Sequence, residues 1–122
     1  MIKTPKISNI ENIGVDIVDI NRFKKKIFSK NVNFYNKIFS QSEIDYCNKF
    51  KSPYEHFAGK FAIKEATIKA VNEKISFLDI ETFHKNSKPQ IRLKKLKTKY
   101  SFLVSVSHEK DYAIAITMAL RN

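Results

Sequence analysis

The sequence is poor in the residues that usually build phosphate-binding loops, disulfides and membrane spans. Its 122 residues include only two glycines, Gly14 and Gly59, three prolines, one cysteine and no tryptophan. It has no P-loop, no GxGxxG turn, and no HExxH or GxSxG signature. Phosphate chemistry would therefore rest on metal, lysines and helix ends rather than on a glycine-rich cradle. The lone Cys47 excludes an internal disulfide and a multi-cysteine metal site, and it suits a reducing compartment. No stretch approaches the roughly 20 apolar residues that a bilayer crossing needs, and no secretory-type apolar run follows Met1. The expectation is a cytoplasmic protein with no membrane partner. Acidic residues are scarce too: 12 Asp and Glu stand against 23 Lys and Arg, a formal charge of +11. That excess predicts an anionic partner without saying whether it is nucleic acid, a phosphate-rich metabolite, a membrane surface or an acidic protein.

What is present reads as a single domain over residues 1–122, with residues 1–9 a loose polar lead-in. Ile13, Val15 and Ile17 alternate with Asn12, Gly14 and Asp16, which predicts a strand that buries its isoleucine and valine face. Asp16 then lies on the other face, beside the space left by Gly14. Asp19 is placed to cap a short helix in which Ile20, Phe23, Ile27 and Phe28 share one side, while Arg22, Lys24, Lys25 and Lys26 make the rest basic. Phe34, Ile38 and Phe39 form an apolar cluster. Ser40-Gln41-Ser42-Glu43 is a capping box for a helix that buries Ile44, Cys47 and Phe50.

The stretch from His56 to Ala70 has the longest unbroken helical period, and Ser52-Pro53-Tyr54-Glu55 supplies its start: Ser52 as N-cap, Pro53 at the first turn, Glu55 closing a second capping box. The helix is expected to run out near Asn72. On a helical wheel Phe57, Phe61 and Ile68 sit beside Ala58, Ala62 and Ala66, with Glu65 and Lys69 between these arcs. Lys60, Lys64 and Thr67 fall on the opposite, polar edge. Glu65 and Lys69 read either as a surface pair four residues apart or as a functional pair, because charge on a partly buried face is costly unless it is paired or bound.

From Ser76 the period shortens to two. Leu78, Ile80 and Thr82 lead through a turn rich in Asn86, Ser87 and Pro89 into Gln90-Ile91-Arg92-Leu93, a hairpin. A lysine-dense connection, 94–99, precedes a second hairpin built from Phe102 to His108 and Tyr112 to Leu120. His108 stands where its strand ends, behind Ser105 and Ser107. The whole is α+β: an N-terminal strand, then helices, then antiparallel hairpins.

Three segments carry a resemblance. They are Ile13-Gly14-Val15-Asp16-Ile17 with Arg22-Phe23, then Phe57-Ala58-Gly59-Lys60-Phe61-Ala62-Ile63-Lys64-Glu65-Ala66 with Lys69-Ala70, then Ser105-Val106-Ser107-His108 with Tyr112-Ala113. Together with Asp79-Ile80-Glu81 and Lys88-Pro89 they resemble the holo-[acyl-carrier-protein] synthases, the single-repeat 4′-phosphopantetheinyl transferases. The resemblance implies transfer of the phosphopantetheine arm of coenzyme A to a serine of apo-acyl carrier protein, releasing adenosine 3′,5′-bisphosphate. It also implies a Mg²⁺ requirement and a homotrimer with active sites between subunits. Carried over by position, Asp16 and Glu65 become metal ligands and, with Lys69, the catalytic set. Lys60, Lys64, Lys69 and His108 fall at coenzyme A positions, and Arg22, Lys24, Lys25 and Lys26 at the carrier-protein docking surface. Where the family has a glycine-rich turn after this helix, the chain has Val71-Asn72-Glu73-Lys74, and Ser87-Lys88-Pro89 replaces Gly-Lys-Pro. A small basic nucleic-acid-binding module is the rival reading, supported by net charge and by runs such as Lys97-Thr98-Lys99-Tyr100, though no RNP, KH or zinc-finger pattern accompanies them.

Overall fold

In the computed structural model, which describes residues 9–96 and 99–122, the alternating N-terminal stretch is strand β1 (Ile10–Asp19). Short helices α1 (Asn21–Lys24) and α2 (Val32–Asn36) follow, then α3 (Gln41–Asn48) and the long α4 (Pro53–Ala70). Four strands complete the chain: β2 (Ile80–Lys85), β3 (Lys88–Leu93), β4 (Tyr100–Glu109) and β5 (Tyr112–Arg121). β1, β5 and β4 form a three-stranded antiparallel sheet in that order, and β2 and β3 a separate two-stranded hairpin. This is the expected α+β arrangement. The lead-in lies outside the described residues except for Asn9, as do Lys97 and Thr98 of the lysine-rich connection.

Helix α4 lies across one face of the three-stranded sheet, and the sequence permits this because the central strand gives that face small residues. Ala113, Ala115, Thr117 and Ala119 of β5 are buried beneath the helix, while Tyr112, Ile114 and Ile116 point away and are exposed. The same inversion corrects the expectation for β1. Its Ile13, Val15 and Ile17 are 54%, 50% and 62% exposed, and Gly14 and Val18 occupy the face against α4. Alternation separates a strand's faces but does not say which one its own helix covers. Gly14 decides it: a Cβ there would lie 1.8 Å from the Ala66 carbonyl oxygen of α4. Only glycine lets the strand and helix backbones come this close.

The second layer explains a second correction. α4 is buried on nearly every side, the edge expected to be polar included: α3 and β2 cover Lys60, 4% exposed, and Lys64, not exposed at all, while the Thr67 hydroxyl lies fully buried 3.2 Å from that of Thr117 on β5. The capping box of Ser40 and Glu43 forms as expected and starts α3. Ser52, in contrast, makes no side-chain cap, so α4 starts from Pro53, whose missing N–H needs no partner. An unforeseen capping box, Ser76 with Asp79, closes the short turn Phe77–Asp79 before β2. The basic segment after β1 is helical for a single turn, with Asp19 accepting the Asn21 N–H at 3.0 Å. The cluster beyond it centres on Tyr35, whose hydroxyl donates to the Lys26 carbonyl at 2.6 Å; Phe34 is only partly buried. Phe50, expected inside, is exposed and stacks on His56 with ring centroids 3.7 Å apart. In place of glycines, the turn after α4 buries Val71 and Ile75 in a smaller core with Ile80 and Leu93, and Asn72 and Glu73 hydrogen-bond to Glu11, Lys99 and Tyr100.

Candidate active site

The close approach at Gly14 brings β1 and the last turns of α4 together. Lys69, one turn beyond Glu65, reaches back across the gap: its Nζ donates to the Val15 carbonyl at 2.9 Å and lies 3.2 Å from Asp16 Oδ1. Asp16 and Glu65 are both partly buried, whereas the Lys69 side chain is half exposed. Burial and then the negative charge of Asp16 push the Glu65 carboxyl above its ordinary range, and Lys69 and Arg22 pull only partly against them. Two carboxylates whose charges repel, with an ammonium and a guanidinium nearby, offer donors for a cation and for an anion. Arg22, assigned from the sequence to docking alone, also belongs to this group; its guanidinium carbon sits 5.2 Å from the centroid of the Phe61 ring.

The remaining expected residues do not all join them. Lys64 is the cation of a buried ion pair: Nζ donates to Glu43 Oε1 at 2.7 Å and to the Ile38 and Phe77 carbonyls at 2.8 and 3.0 Å. With no exposed surface, it is not placed to contact coenzyme A, and that expectation is corrected. The helix wheel could not reveal this, because Glu43 reaches Lys64 from another helix. Glu43 Oε2 in turn accepts from the Thr82 N–H at 2.8 Å, and Ser40 N–H donates to Oε1 at 2.8 Å. Lys60 sits behind a cleft of about 420 Å³ lined by Tyr46, Lys49, Thr82 and His84; its Nζ donates to Thr82 O and Oγ1 at 3.2 and 3.0 Å.

His108, paired in register with Ala113, is exposed near the end of β4. Ala113 separates it from β1, and Val106, two residues before it on β4, faces Gly59 of α4, where an added Cβ would lie 3.6 Å from Val106 Cγ2. Glu65 is six helical positions beyond Gly59, about 9 Å along α4. One chain therefore places His108 at the opposite end of the helix from Asp16, Glu65 and Lys69. Arg22, Lys24, Lys25 and Lys26 are all exposed around α1.

Asp16 and Glu65 fit a magnesium ion. Both offer hard oxygen donors, and their mutual repulsion is what a cation would relieve. No group of three or more His, Cys, Asp or Glu is gathered there among the described residues, which suits an ion that keeps several waters and takes one or two carboxylates.

Residues 12–117 match the 4′-phosphopantetheinyl transferase superfamily. The chain is 40% identical over 111 residues to a holo-[acyl-carrier-protein] synthase of Mycoplasma mycoides, covering 89% of this chain and 94% of that one. To the enzyme of that description from Thermodesulfovibrio yellowstonii it is 36% identical over 112 residues, covering 89% and 97%. Among solved structures it is similar to a holo-(acyl-carrier-protein) synthase of Bacillus anthracis in complex with CoA (3′,5′-ADP), with TM-score 0.81 and 31% identity over 94% of this chain and 100% of that one. A Helicobacter pylori holo-[acyl-carrier-protein] synthase in complex with coenzyme A superposes with TM-score 0.75 and 35% identity, covering 88% and 98%.

Proposed function

The chain belongs to the 4′-phosphopantetheinyl transferase superfamily, and on that premise we propose that it is a magnesium-dependent holo-[acyl-carrier-protein] synthase. The serine hydroxyl of apo-acyl carrier protein attacks the phosphorus that bears the pantetheine arm of coenzyme A. A new P–O bond forms to serine, the pyrophosphate P–O bond breaks, the serine proton is lost, and adenosine 3′,5′-bisphosphate leaves. The observation that carries this reading is the meeting of Asp16, Glu65 and Lys69 at the β1–α4 contact.

Within it, Asp16 and Glu65 would hold the ion, which when bound would draw charge from the phosphates. Lys69, half exposed on a flexible stem, stabilises the negative charge that develops in transfer. His108 serves the nucleotide end of coenzyme A, and Lys60, which lines the cleft beside Tyr46 and His84, also serves coenzyme A. The exposed run Arg22, Lys24, Lys25 and Lys26 docks the acidic carrier protein, an attachment that weakens as salt screens it. The distance between His108 and the carboxylates within one chain supports a site completed by a neighbouring copy. The outward apolar sheet face supports association of copies, in our reading as a trimer.

Mass spectrometry of intact apo-acyl carrier protein tests the reaction directly. After incubation with this protein, coenzyme A and Mg²⁺, a gain of one phosphopantetheine arm is expected, absent with chelator and with Asp16→Ala. No gain with several carrier proteins would refute the reading, and a salt-dependent gel shift indifferent to coenzyme A would then favour the nucleic-acid-binding alternative.

A further inference from the structure

The contact between Lys69 and Asp16 has a role of its own, which rests on the reading of Asp16 as a metal ligand. Lys69 spends two of its three ammonium donors on β1, one on the Val15 carbonyl at 2.9 Å and one on Asp16 Oδ1 at 3.2 Å. This reach exists because Gly14 lets the strand lie against the helix; the Lys69 Cβ itself is 3.1 Å from where a Gly14 Cβ would be. An ammonium and a divalent cation on one carboxylate oxygen repel each other, so they compete for Asp16. The Lys69 side chain is half exposed and its stem is flexible, so it can leave β1 without disturbing the core.

We propose that Lys69 is the resident counter-cation of Asp16, and that a divalent metal enters the site only by displacing it. A substrate phosphate gives the displaced ammonium somewhere to go. Substrate and metal then assist each other's binding, and by linkage the assistance is mutual. The free protein keeps a low metal affinity and the site assembles when the phosphates arrive.

The test is titration of the full chain with Mn²⁺ alone, free ion being counted by electron paramagnetic resonance, so that no turnover enters the readout. Lys69→Gln and Lys69→Ala are expected to bind Mn²⁺ about tenfold more tightly than wild type, the order set by removing one positive charge a few ångströms from a dication near the surface. Lys69→Arg, which keeps the charge, stays within about twofold of wild type, and Asp16→Asn loses the tight class in the Lys69→Gln background. If both charge-removing variants bind no more tightly than wild type while Asp16→Asn still weakens binding, the competition is overturned and the metal assignment stands. If Asp16→Asn binds as wild type does, both fall together.

Discussion

Gly14 matters for what it lacks. Any side chain there meets the Ala66 carbonyl, an atom of helix backbone that cannot rotate away. Gly14→Ala should therefore push β1 off α4, costing about 1–3 kcal/mol and lengthening the reach from Lys69 to Asp16. Urea unfolding measures the first effect. Phosphopantetheine transfer measures the second, and activity is expected to fall further than the lost stability explains. Lys64 is a residue of a different kind, since its charge is wholly internal. Lys64→Met leaves Glu43 buried with no cation and should cost about 3–5 kcal/mol, whereas adding Glu43→Gln recovers part of the loss by removing the orphaned charge. Glu43 also sets an acid limit. Burial alone would raise its pKa, but Lys64 and the hydrogen bonds from Lys64, Thr82 and Ser40 outweigh burial and hold it below the ordinary carboxylate value. A carboxyl depressed in the folded state contributes stability above its unfolded pKa and loses it as pH falls through the folded one. Wild type should thus lose more stability than Glu43→Gln between about pH 5 and about pH 3.

At the scale of elements, what was legible in the sequence follows from local rules. The Ser40 cap, the reach of α4, both hairpins and the order of elements depend on neighbours within a few residues, and they stand where the period and the turn residues place them. The grouping of Asp16 with Glu65 and Lys69 came from resemblance, because a strand and a helix some fifty positions apart share no local signal; the Lys69–Asp16 contact spans 53 residues. Two features were illegible for a related reason. Nothing near Lys64 announces Glu43, and nothing in β1 says that its large apolar side chains face away from α4. The β2–β3 turn shows a local rule that is only half met. Asn86 and Ser87 both take positive φ, 52° and 64°, the geometry that favours Asn-Gly in a two-residue hairpin. Asn tolerates it and serine does so less readily. Ser87→Gly should raise stability by about 0.5–1 kcal/mol, read as a higher thermal midpoint with activity retained. No change, or a loss, would mean that the hairpin's register and not its turn sets its stability.

On the scale of the whole molecule, the sheet is inside out for a chain that stays alone. β5 buries alanines and exposes Tyr112, Ile114 and Ile116, and Ile13, Val15, Ile17 and Leu103 extend that face across both neighbouring strands. A contiguous apolar face of this kind marks an interaction surface. A second protein of another sort could cover it, but in the proposed assembly a copy of the same chain would also bring His108 towards carboxylates that its own chain keeps at the far end of α4. Burying one such isoleucine or leucine is worth about 1.5–3 kcal/mol, and in a trimer the gain is counted once per subunit, roughly 4–9 kcal/mol in all. A single charge in the face, Ile114→Glu or Leu103→Glu, should then suffice to dissociate the assembly without touching the core, since neither side chain packs against α4. Sedimentation velocity is expected to show a trimer for wild type and a monomer with unchanged circular dichroism for either variant. Transfer activity should drop with the assembly, and mixing an Asp16→Ala chain with a His108→Ala chain, both with an intact face, should give activity that neither has alone, because each supplies what the other lacks. A wild-type protein that sediments as a monomer while remaining active on dilution would break this link between the open sheet face and the site.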